Sequence, residues 1–169
     1  MHPETFLKPD FIGIGPPKTG TTWIYHNLSN HPQVEMPPDK EIRYFWERWF
    51  VGTLTLKEWI KSDHWHVRGR RAFHKNRFRK HLSDLMSARV DVGYLRWDIK
   101  YLSRNRTDSW YSSLFNQNLV SGDITAKYCE LPEQEIIRIS QVFPDLKILI
   151  TLRDPIEREW SRAKMNLSK

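Results

Sequence analysis

Cysteine is almost absent from this sequence, since Cys129 is the only one among 169 residues. A single cysteine excludes an internal disulfide framework and a zinc site built from cysteine ligands. Long apolar runs are missing as well, and none approaches the roughly 20 residues of a membrane-spanning helix. The N-terminal residues MHPETFLKPDF lack the basic-then-apolar layout of a signal peptide. These absences predict a cytoplasmic protein without a membrane span, unless a leader has been removed.

Acidic residues are also scarce relative to basic ones. The chain has 20 Asp and Glu against 27 Lys and Arg, a formal net charge of +7. This balance predicts an anionic partner, which could be a nucleotide, nucleic acid, an acidic glycan or a membrane surface. Hydrophobic residues at 39%, with eight Trp, eight Phe and six Tyr, exclude a disordered chain and predict one globular domain over residues 1–169.

Residues 11–23, FIGIGPPKTGTTW, organise the chain. The apolar start fits a buried parallel strand, and the two threonines after Gly20 open an amphipathic helix. A strand, a tight turn and a helix start aim free backbone N–H groups and the positive end of the helix dipole at one point. Lys18 adds a mobile positive charge there. The segment therefore predicts a phosphate-binding loop, although Lys18 precedes Gly20 and so the order differs from a Walker A loop.

The remaining pattern alternates strands and helices. Helices are predicted over residues 21–30, 132–142 and 155–167, and residues 147–152, KILITL, form the clearest buried strand. A basic helical insertion occupies about residues 55–115. The residues predicted to face inward from the helix at 132–142 are Ile136, Ile137 and Ile139. This alternation predicts an α/β fold with a central parallel sheet flanked by helices, whose ligands bind beyond the carboxyl ends of the strands.

A second anion site is predicted in LRDPIEREWS, at the end of the KILITL strand. Asp154 can cap the next helix, Pro155 suits its first position, and Glu157 completes a capping box. Arg153 and Ser161, two turns apart, could converge on one phosphate, because a guanidinium fork and a hydroxyl suit a dianion. The alternative is a well-capped helix with Arg153 in a surface ion pair.

Together these motifs resemble the PAPS-dependent sulfotransferases (PAPS is 3′-phosphoadenosine 5′-phosphosulfate) of the bacterial and glycan type. PKTGTTW is similar to their 5′-phosphosulfate loop, and Arg-Asp-Pro followed by Ser161 is similar to their 3′-phosphate motif. Between them, KEIRYF and GDITAKY resemble two supporting segments in the family's order. The resemblance covers residues 11–167. It implies a three-layer, P-loop-like fold. Family members usually continue with a C-terminal part that includes a basic loop over the nucleotide, so this chain is expected to be either a fragment or a natural truncation.

The resemblance also implies roles for individual residues. The enzyme would transfer a sulfuryl group from PAPS to a hydroxyl or amine acceptor and release PAP. Lys18 would neutralise charge on the leaving group, and Arg153 with Ser161 would distinguish PAPS from ATP-like nucleotides. The residues expected to bind the nucleotide are Lys18, Thr19, Gly20, Thr21, Thr22, Trp23, Arg153 and Ser161. Trp23 would stack on adenine, although a core aromatic on the first helix is an equal alternative.

Glu41 matches the glutamate that serves as the base in glycan-type members. The neighbouring aromatic residues Tyr44, Phe45 and Trp46 are expected to raise its pKa, which would suit a base. The alternative is a solvated glutamate in the first turn of a helix. Asp123 and Thr125 are weaker candidates for lining the acceptor side.

Two other functions fit parts of the pattern. A P-loop kinase would use the same fold, but the Lys-Thr-Gly order and the lack of an evident Walker B aspartate argue against it. A non-catalytic anion-binding protein would use the basic run 61–81, which otherwise indicates a solvated helix face or a surface for an acidic acceptor. Nucleic acid is not favoured. His64 and His66 lack a third ligand at suitable spacing, so no metal is predicted.

Overall fold

The computed structural model describes residues 6–86, 91–102 and 105–167. Helices and short strands follow one another along the chain. In order they are β1 (Phe11–Gly13), α1 (Thr21–Ser29), α2 (Tyr44–Val51), α3 (Leu56–Lys61), α4 (Trp65–Met86), α5 (Val92–Leu102), α6 (Asp108–Ser113), β2 (Gly122–Ile124), a 3₁₀ turn (Ala126–Glu130), α7 (Glu133–Val142), β3 (Lys147–Leu149) and α8 (Pro155–Leu167).

The three strands form one parallel sheet with β1 in the centre, between β2 and β3. Ile12 of β1 lies opposite Asp123 on one side and Ile148 on the other. Helices α1–α6 connect β1 to β2, and α7 connects β2 to β3. The predicted α/β fold with a parallel sheet is confirmed. All three strands therefore end at the same edge, where the loops that follow them meet.

Aromatic side chains dominate the core beside the sheet. Tyr44 and Tyr111 stack with ring centroids 4.7 Å apart, and the Phe45 ring packs edge-on against Tyr111 and Phe143. Tyr44, Phe45 and Trp46 all point into this core from the first turn of α2. Because α2 is anchored at its start, the loop that precedes it is held in place beside the sheet.

Helix α4 divides the basic run into two faces. Val67, His74 and His81 are buried, and Arg70 and Arg77 form ion pairs with carboxylates on the inner side. The outer side exposes four basic residues, Arg68, Lys75, Arg79 and Lys80. The prediction of a solvated face for residues 61–81 therefore holds for the outer side of the helix and not for its inner side.

Two predictions about buried apolar segments are wrong. The strand predicted over 147–152 ends at Leu149, and Ile148 and Ile150 are each 56% exposed, because β3 is an edge strand that the described chain leaves uncovered. In α7, Ile139 is buried as predicted, whereas Ile136 and Ile137 are about half exposed. Consecutive residues on a helix point about 100° apart, so one helix face cannot bury all three.

Candidate functional site

The loop between β1 and α1 presents backbone N–H groups at the edge of the sheet. Gly20 has a φ of 95° and Lys18 a φ of 73°, so the chain turns through the left-handed region twice before α1 begins. Among the described residues, no side chain caps α1 at Gly20. The N–H groups of the first turn therefore stay available, which is the arrangement that binds an anion at a helix N-terminus.

The end of β3 meets this loop directly. The hydroxyls of Thr19 and Thr151 are 2.6 Å apart, and Arg153 Nη1 donates to the carbonyl oxygen of Lys18 at 3.3 Å. The approach is close, since a Cβ at Gly15 would lie 1.8 Å from the Thr151 hydroxyl oxygen. The structure thus brings together the two predicted anion-binding segments, although more than a hundred residues separate them.

Arg153 also forms the surface ion pair that was the alternative interpretation. Its Nε and Nη2 atoms both lie 3.3 Å from Glu157 Oε2, and both side chains are exposed. Asp154 caps α8 as predicted, because its Oδ1 accepts from the N–H groups of Ile156 and Glu157. An exposed pair of this kind contributes at most about 1 kcal/mol. Arg153 can therefore exchange Glu157 for a phosphate at little cost.

The Lys18 side chain packs against the face of α8 that also carries Ser161. Lys18 Nζ contacts Met165 Sδ at 3.7 Å, and a thioether is only a weak acceptor for an ammonium group. Ser161 precedes Met165 by four residues, so both point from the same face of the helix. Ser161 is half-buried on that face. The Lys18 ammonium therefore lies beside the face of α8 that carries Ser161, and the backbone of Lys18 contacts Arg153.

The remaining loop residues differ in exposure. Trp23 is 70% exposed on α1, so the alternative of a core aromatic is wrong, and its ring is open to a stacking partner. Thr22 is exposed at the start of the helix. Thr21 is buried, and its hydroxyl accepts from Lys40 Nζ at 3.3 Å. Lys40 thereby joins the start of α1 to the loop that carries Glu41.

Glu41 is half-buried between two basic side chains. Its carboxylate accepts hydrogen bonds from Arg43 Nε at 3.0 Å, from Arg43 Nη2, and from Lys40 Nζ at 3.4 Å. Burial alone would raise the pKa of Glu41, but the hydrogen bonds and charges of Arg43 and Lys40 outweigh it and lower that pKa. The expected raised pKa is therefore wrong, because the neighbouring aromatic rings point into the core. Glu41 is ionised at neutral pH and can accept a proton.

Asp123 and Thr125 hold the backbone of the Glu41 loop (residues 39–43) and do not line an acceptor pocket. Both are almost fully buried. Asp123 Oδ1 accepts from the N–H of Ile42 at 3.3 Å, and Thr125 Oγ1 accepts from the N–H of Arg43 at 3.3 Å. Asp123 Oδ2 accepts from two buried tyrosines, Tyr111 and Tyr128. The expected acceptor role is wrong for these two residues, since their side chains are consumed in holding the loop.

Sequence reasoning missed Lys40, Arg43 and Arg70 as site residues. Lys40 and Arg43 flank Glu41 in the run KEIR, which was the available signal. Arg70 lies on α4, and its Nη1 donates to the carbonyl oxygen of Glu41 at 2.8 Å. Nothing in the local sequence of α4 distinguishes Arg70 from the other basic residues of the run, so only the fold identifies it.

The histidines of the basic run do not form a metal centre in the part of the chain described. No group of three His, Cys, Asp or Glu side chains there is arranged to hold a metal ion. His64 is half-buried and packs edge-on against Phe50, with ring centroids 5.2 Å apart. The side chain of His66 lies outside the described residues.

Comparison with known proteins gives consistent matches. The chain is 26% identical over 159 residues to the "Membrane-associated sulfotransferase kil1" of Dictyostelium discoideum, which covers 94% of this chain and 23% of the relative. It is 27% identical over 162 residues to human "Carbohydrate sulfotransferase 15", which covers 90% of this chain and 26% of the relative. The chain thus spans about a quarter of the length of these relatives. Across the described residues, no helix is both long enough and apolar enough to cross a bilayer.

The fold matches a solved structure as well. A sulfotransferase from Alicyclobacillus acidocaldarius aligns with a TM-score of 0.52 and 24% identity, over 95% of this chain and 50% of that protein. The profile described as "Sulfotransferase family" matches residues 9–169. The match includes both predicted anion-binding segments and the Glu41 loop, so this chain belongs to the sulfotransferase family.

Proposed function

We propose that this chain carries the donor-binding and catalytic residues of a PAPS-dependent sulfotransferase, which transfers a sulfuryl group to a hydroxyl or amine acceptor and releases PAP. The observation that carries the proposal is the contact between Arg153 and the Lys18 loop at the uncapped start of α1. Two phosphate-binding elements at one sheet edge suit a nucleotide with phosphates at both its 5′ and 3′ positions.

The residues present fit this nucleotide. N–H groups of the first turn of α1 and the hydroxyl of Thr22 would hold the 5′-phosphate, and the exposed face of Trp23 would stack on adenine. Arg153 and Ser161 would hold the 3′-phosphate. Thr19 takes a structural role in the proposal, because its hydroxyl already bonds Pro16 and Thr151. PAPS supplies the activated sulfuryl group when it is bound.

Lys18 and Glu41 are the proposed catalytic residues. The Lys18 ammonium would neutralise the charge that grows on the departing phosphate oxygen. Glu41 would take the proton of the acceptor hydroxyl, since its carboxylate is ionised at neutral pH. Lys40 connects the two halves of the site, because its ammonium lies 3.3 Å from the Thr21 hydroxyl and 3.4 Å from Glu41.

A glycan acceptor is part of the proposal. One of the relatives is named a carbohydrate sulfotransferase, and the net charge of +7 favours an acidic acceptor. A cytoplasmic location is also proposed from the sequence, although one relative is named membrane-associated. Cell fractionation of the full-length protein tests this location, and recovery in the membrane fraction would contradict it.

Calorimetric titration with PAP, 5′-AMP and ATP tests the donor site. We expect PAP to bind more tightly than 5′-AMP, and Arg153→Ala to weaken PAP about tenfold or more, because a hydrogen-bonded charge pair contributes about 1.5–3 kcal/mol. Arg162→Ala, an exposed arginine on the same helix, is the matched control and should leave PAP binding unchanged. Tighter binding of ATP with Mg²⁺ than of PAP would overturn the proposal in favour of a kinase.

A further inference from the structure

Helix α4 carries a stripe of two aromatic residues separated by a glycine. Trp65, Gly69 and Phe73 are spaced four residues apart, so they lie on one face of the helix. Trp65 is 70% exposed and Phe73 is 54% exposed. A Cβ placed at Gly69 would meet no atom within 4 Å, so the glycine leaves open space between the two rings.

This stripe forms one wall of a pocket of about 350 Å³, and the Glu41 loop forms the other. The pocket is lined by Asp39, Lys40, Glu41, Arg43 and Arg70 in addition to the stripe. Arg70 fixes the distance between the walls, because it extends from α4 and donates to the carbonyl oxygen of Glu41 at 2.8 Å. A ligand in the pocket therefore has an aromatic surface on one side and the proposed base on the other.

The pocket also borders the donor loop. Lys40 lines the pocket and contacts the Thr21 hydroxyl at the start of α1. An occupant would thus lie between Glu41 and the proposed position of the sulfuryl group. This continuity identifies the occupant with the acceptor.

The chemistry of the walls favours a sugar. A sugar ring presents C–H groups on its faces, which pack on exposed aromatic rings, and hydroxyls at its rim, which bond charged side chains. A flat aromatic acceptor would instead favour a predominantly apolar pocket, whereas five of the eight lining residues here are charged. The space over Gly69 admits a ring between Trp65 and Phe73.

Positive charge continues along α4 beyond the pocket. Lys80 lies seven residues after Phe73, on nearly the same face, and Arg79 lies beside it. Both are exposed. A glycan chain that carries carboxylates could extend from the pocket along this part of the helix. Salt would weaken its contacts with these exposed basic side chains.

We infer that Trp65, Gly69 and Phe73 form the acceptor subsite, and that it binds a sugar unit of an anionic glycan. The inference rests on the proposed function and identifies the residues that would bind its glycan acceptor. Trp65 and Phe73 act as specificity residues, since they contact the ring that carries the acceptor hydroxyl. Gly69 contributes because it has no side chain that would fill the space between the two aromatic rings.

Calorimetry with three reagents tests the subsite, namely a hyaluronan octasaccharide (anionic), maltooctaose (neutral) and 2-naphthol (aromatic). We expect the hyaluronan octasaccharide to bind most tightly, and Gly69→Leu and Trp65→Ala each to weaken it about tenfold, as the loss of one ring contact implies. Gly69→Leu suits the purpose because leucine favours the helix and the Cβ that it adds meets no atom within 4 Å. Ala72→Leu, at an exposed position on α4 away from the pocket lining, is the matched control and should leave binding unchanged.

Each alternative result has a defined meaning. Octasaccharide binding that is insensitive to both Gly69→Leu and Trp65→Ala would overturn the subsite, and tighter binding of 2-naphthol would overturn the sugar. Equal binding of maltooctaose would overturn the anionic part. PAP is titrated into the same variants and should bind them as it binds the wild type. If the wild type does not bind PAP but binds the octasaccharide, and Gly69→Leu weakens that binding, the result would contradict the proposed function alone.

Discussion

Lys18, Glu41 and Arg43 share a backbone conformation that residues with a Cβ rarely adopt. Their φ angles are 73°, 63° and 62°. Each such residue costs about 1–3 kcal/mol, and it persists only where surrounding contacts impose it. At residues 41–43 those contacts are three backbone N–H groups that donate to Ile124, Asp123 and Thr125 of the β2 segment. Two of these three residues, Lys18 and Glu41, are the ones proposed for catalysis, and buried polar groups hold the conformation of residues 41–43.

Replacing Arg43 should raise the pKa of Glu41. Arg43→Met removes the hydrogen bonds and the charge that lower this pKa, and it leaves burial, which raises it, opposed by Lys40 alone. Carbon-13 NMR titration of the Glu41 carboxyl group measures the effect, with Glu41→Gln to assign the signal. Arg48→Met is the matched control, because Arg48 pairs with Glu135. An unchanged Glu41 titration in Arg43→Met would contradict the assignment of Arg43 as the residue that holds this carboxylate ionised.

At the scale of elements, one arginine holds three helices together. Arg106 is 6% exposed, and its guanidinium carbon lies 4.5 Å from the Trp59 ring of α3, 4.4 Å from Tyr101 of α5 and 4.1 Å from Trp110 of α6. Its Nη1 also donates to the carbonyl oxygen of Tyr101. A planar, delocalised cation suits this aromatic enclosure better than a compact ammonium does.

Arg106→Lys should therefore destabilise the packing of α3, α5 and α6 while it retains the positive charge. We expect the free energy of unfolding to fall by about 2 kcal/mol or more, the magnitude of a desolvated cation–π contact. Urea denaturation followed by tryptophan fluorescence measures the loss. Arg162→Lys, an exposed position on α8, should change it by less than about 0.5 kcal/mol. Equal stabilities for the two variants would show that the aromatic enclosure contributes little beyond charge.

The elements themselves were largely predictable, because local chemistry determines them. The α1 helix, the cap at Asp154 and the proline at the start of α8 were all identified from sequence and are confirmed. Burial was predicted less well. The apolar run at β3 has the composition of a buried strand, yet it lies at a sheet edge. Composition determines what a segment could bury, whereas the position of an element in the sheet determines whether other elements cover it.

The candidate site shows the same limit. Motif order identified the Lys18 loop and Arg153, and the structure brings them into contact. Lys40 and Arg70 were missed, because their roles depend on contacts across 19 and 29 residues of chain. The pKa of Glu41 was predicted in the wrong direction, since sequence proximity to aromatic residues gave no information about which way their rings point.

Across the whole molecule, the excess of positive charge is partly turned inward. Arg70 and Arg77 of α4 pair with Asp39 and Asp98, which come from the Glu41 loop and from α5. His74 lies at the centre of this ionic cluster and is fully buried. The cluster joins the basic helical segment to the loop that carries the proposed base, so the stability of the site depends on the charge state of the cluster.

His74 is neutral in the folded protein. Burial lowers its pKa to about 2, together with the positive charges of Arg70, Arg77 and Arg106. Two carboxylates face it, with Asp39 Oδ2 at 3.5 Å and Asp98 Oδ1 at 4.0 Å, but burial and three guanidinium groups outweigh them. A protonated imidazole therefore belongs to the unfolded chain and not to the folded one.

This difference predicts a loss of stability on acidification. Below the ordinary histidine pKa of 6.5 the unfolded chain binds a proton that folded His74 excludes, so the free energy of unfolding falls as the pH falls. The slope is about 1.4 kcal/mol per pH unit for one group, or about 2 kcal/mol between pH 6.5 and pH 5. Urea denaturation measures this loss at pH 7.5, 6 and 5, which span about 2.5 units around that pKa.

Two variants separate His74 from the other histidines. The free energy of unfolding of His74→Gln should fall less steeply with pH than that of the wild type by about this amount, whatever its value at pH 7.5. His26→Gln, at an exposed position, should keep the wild-type slope. Parallel declines in wild type and His74→Gln would show that His74 can be protonated within the fold.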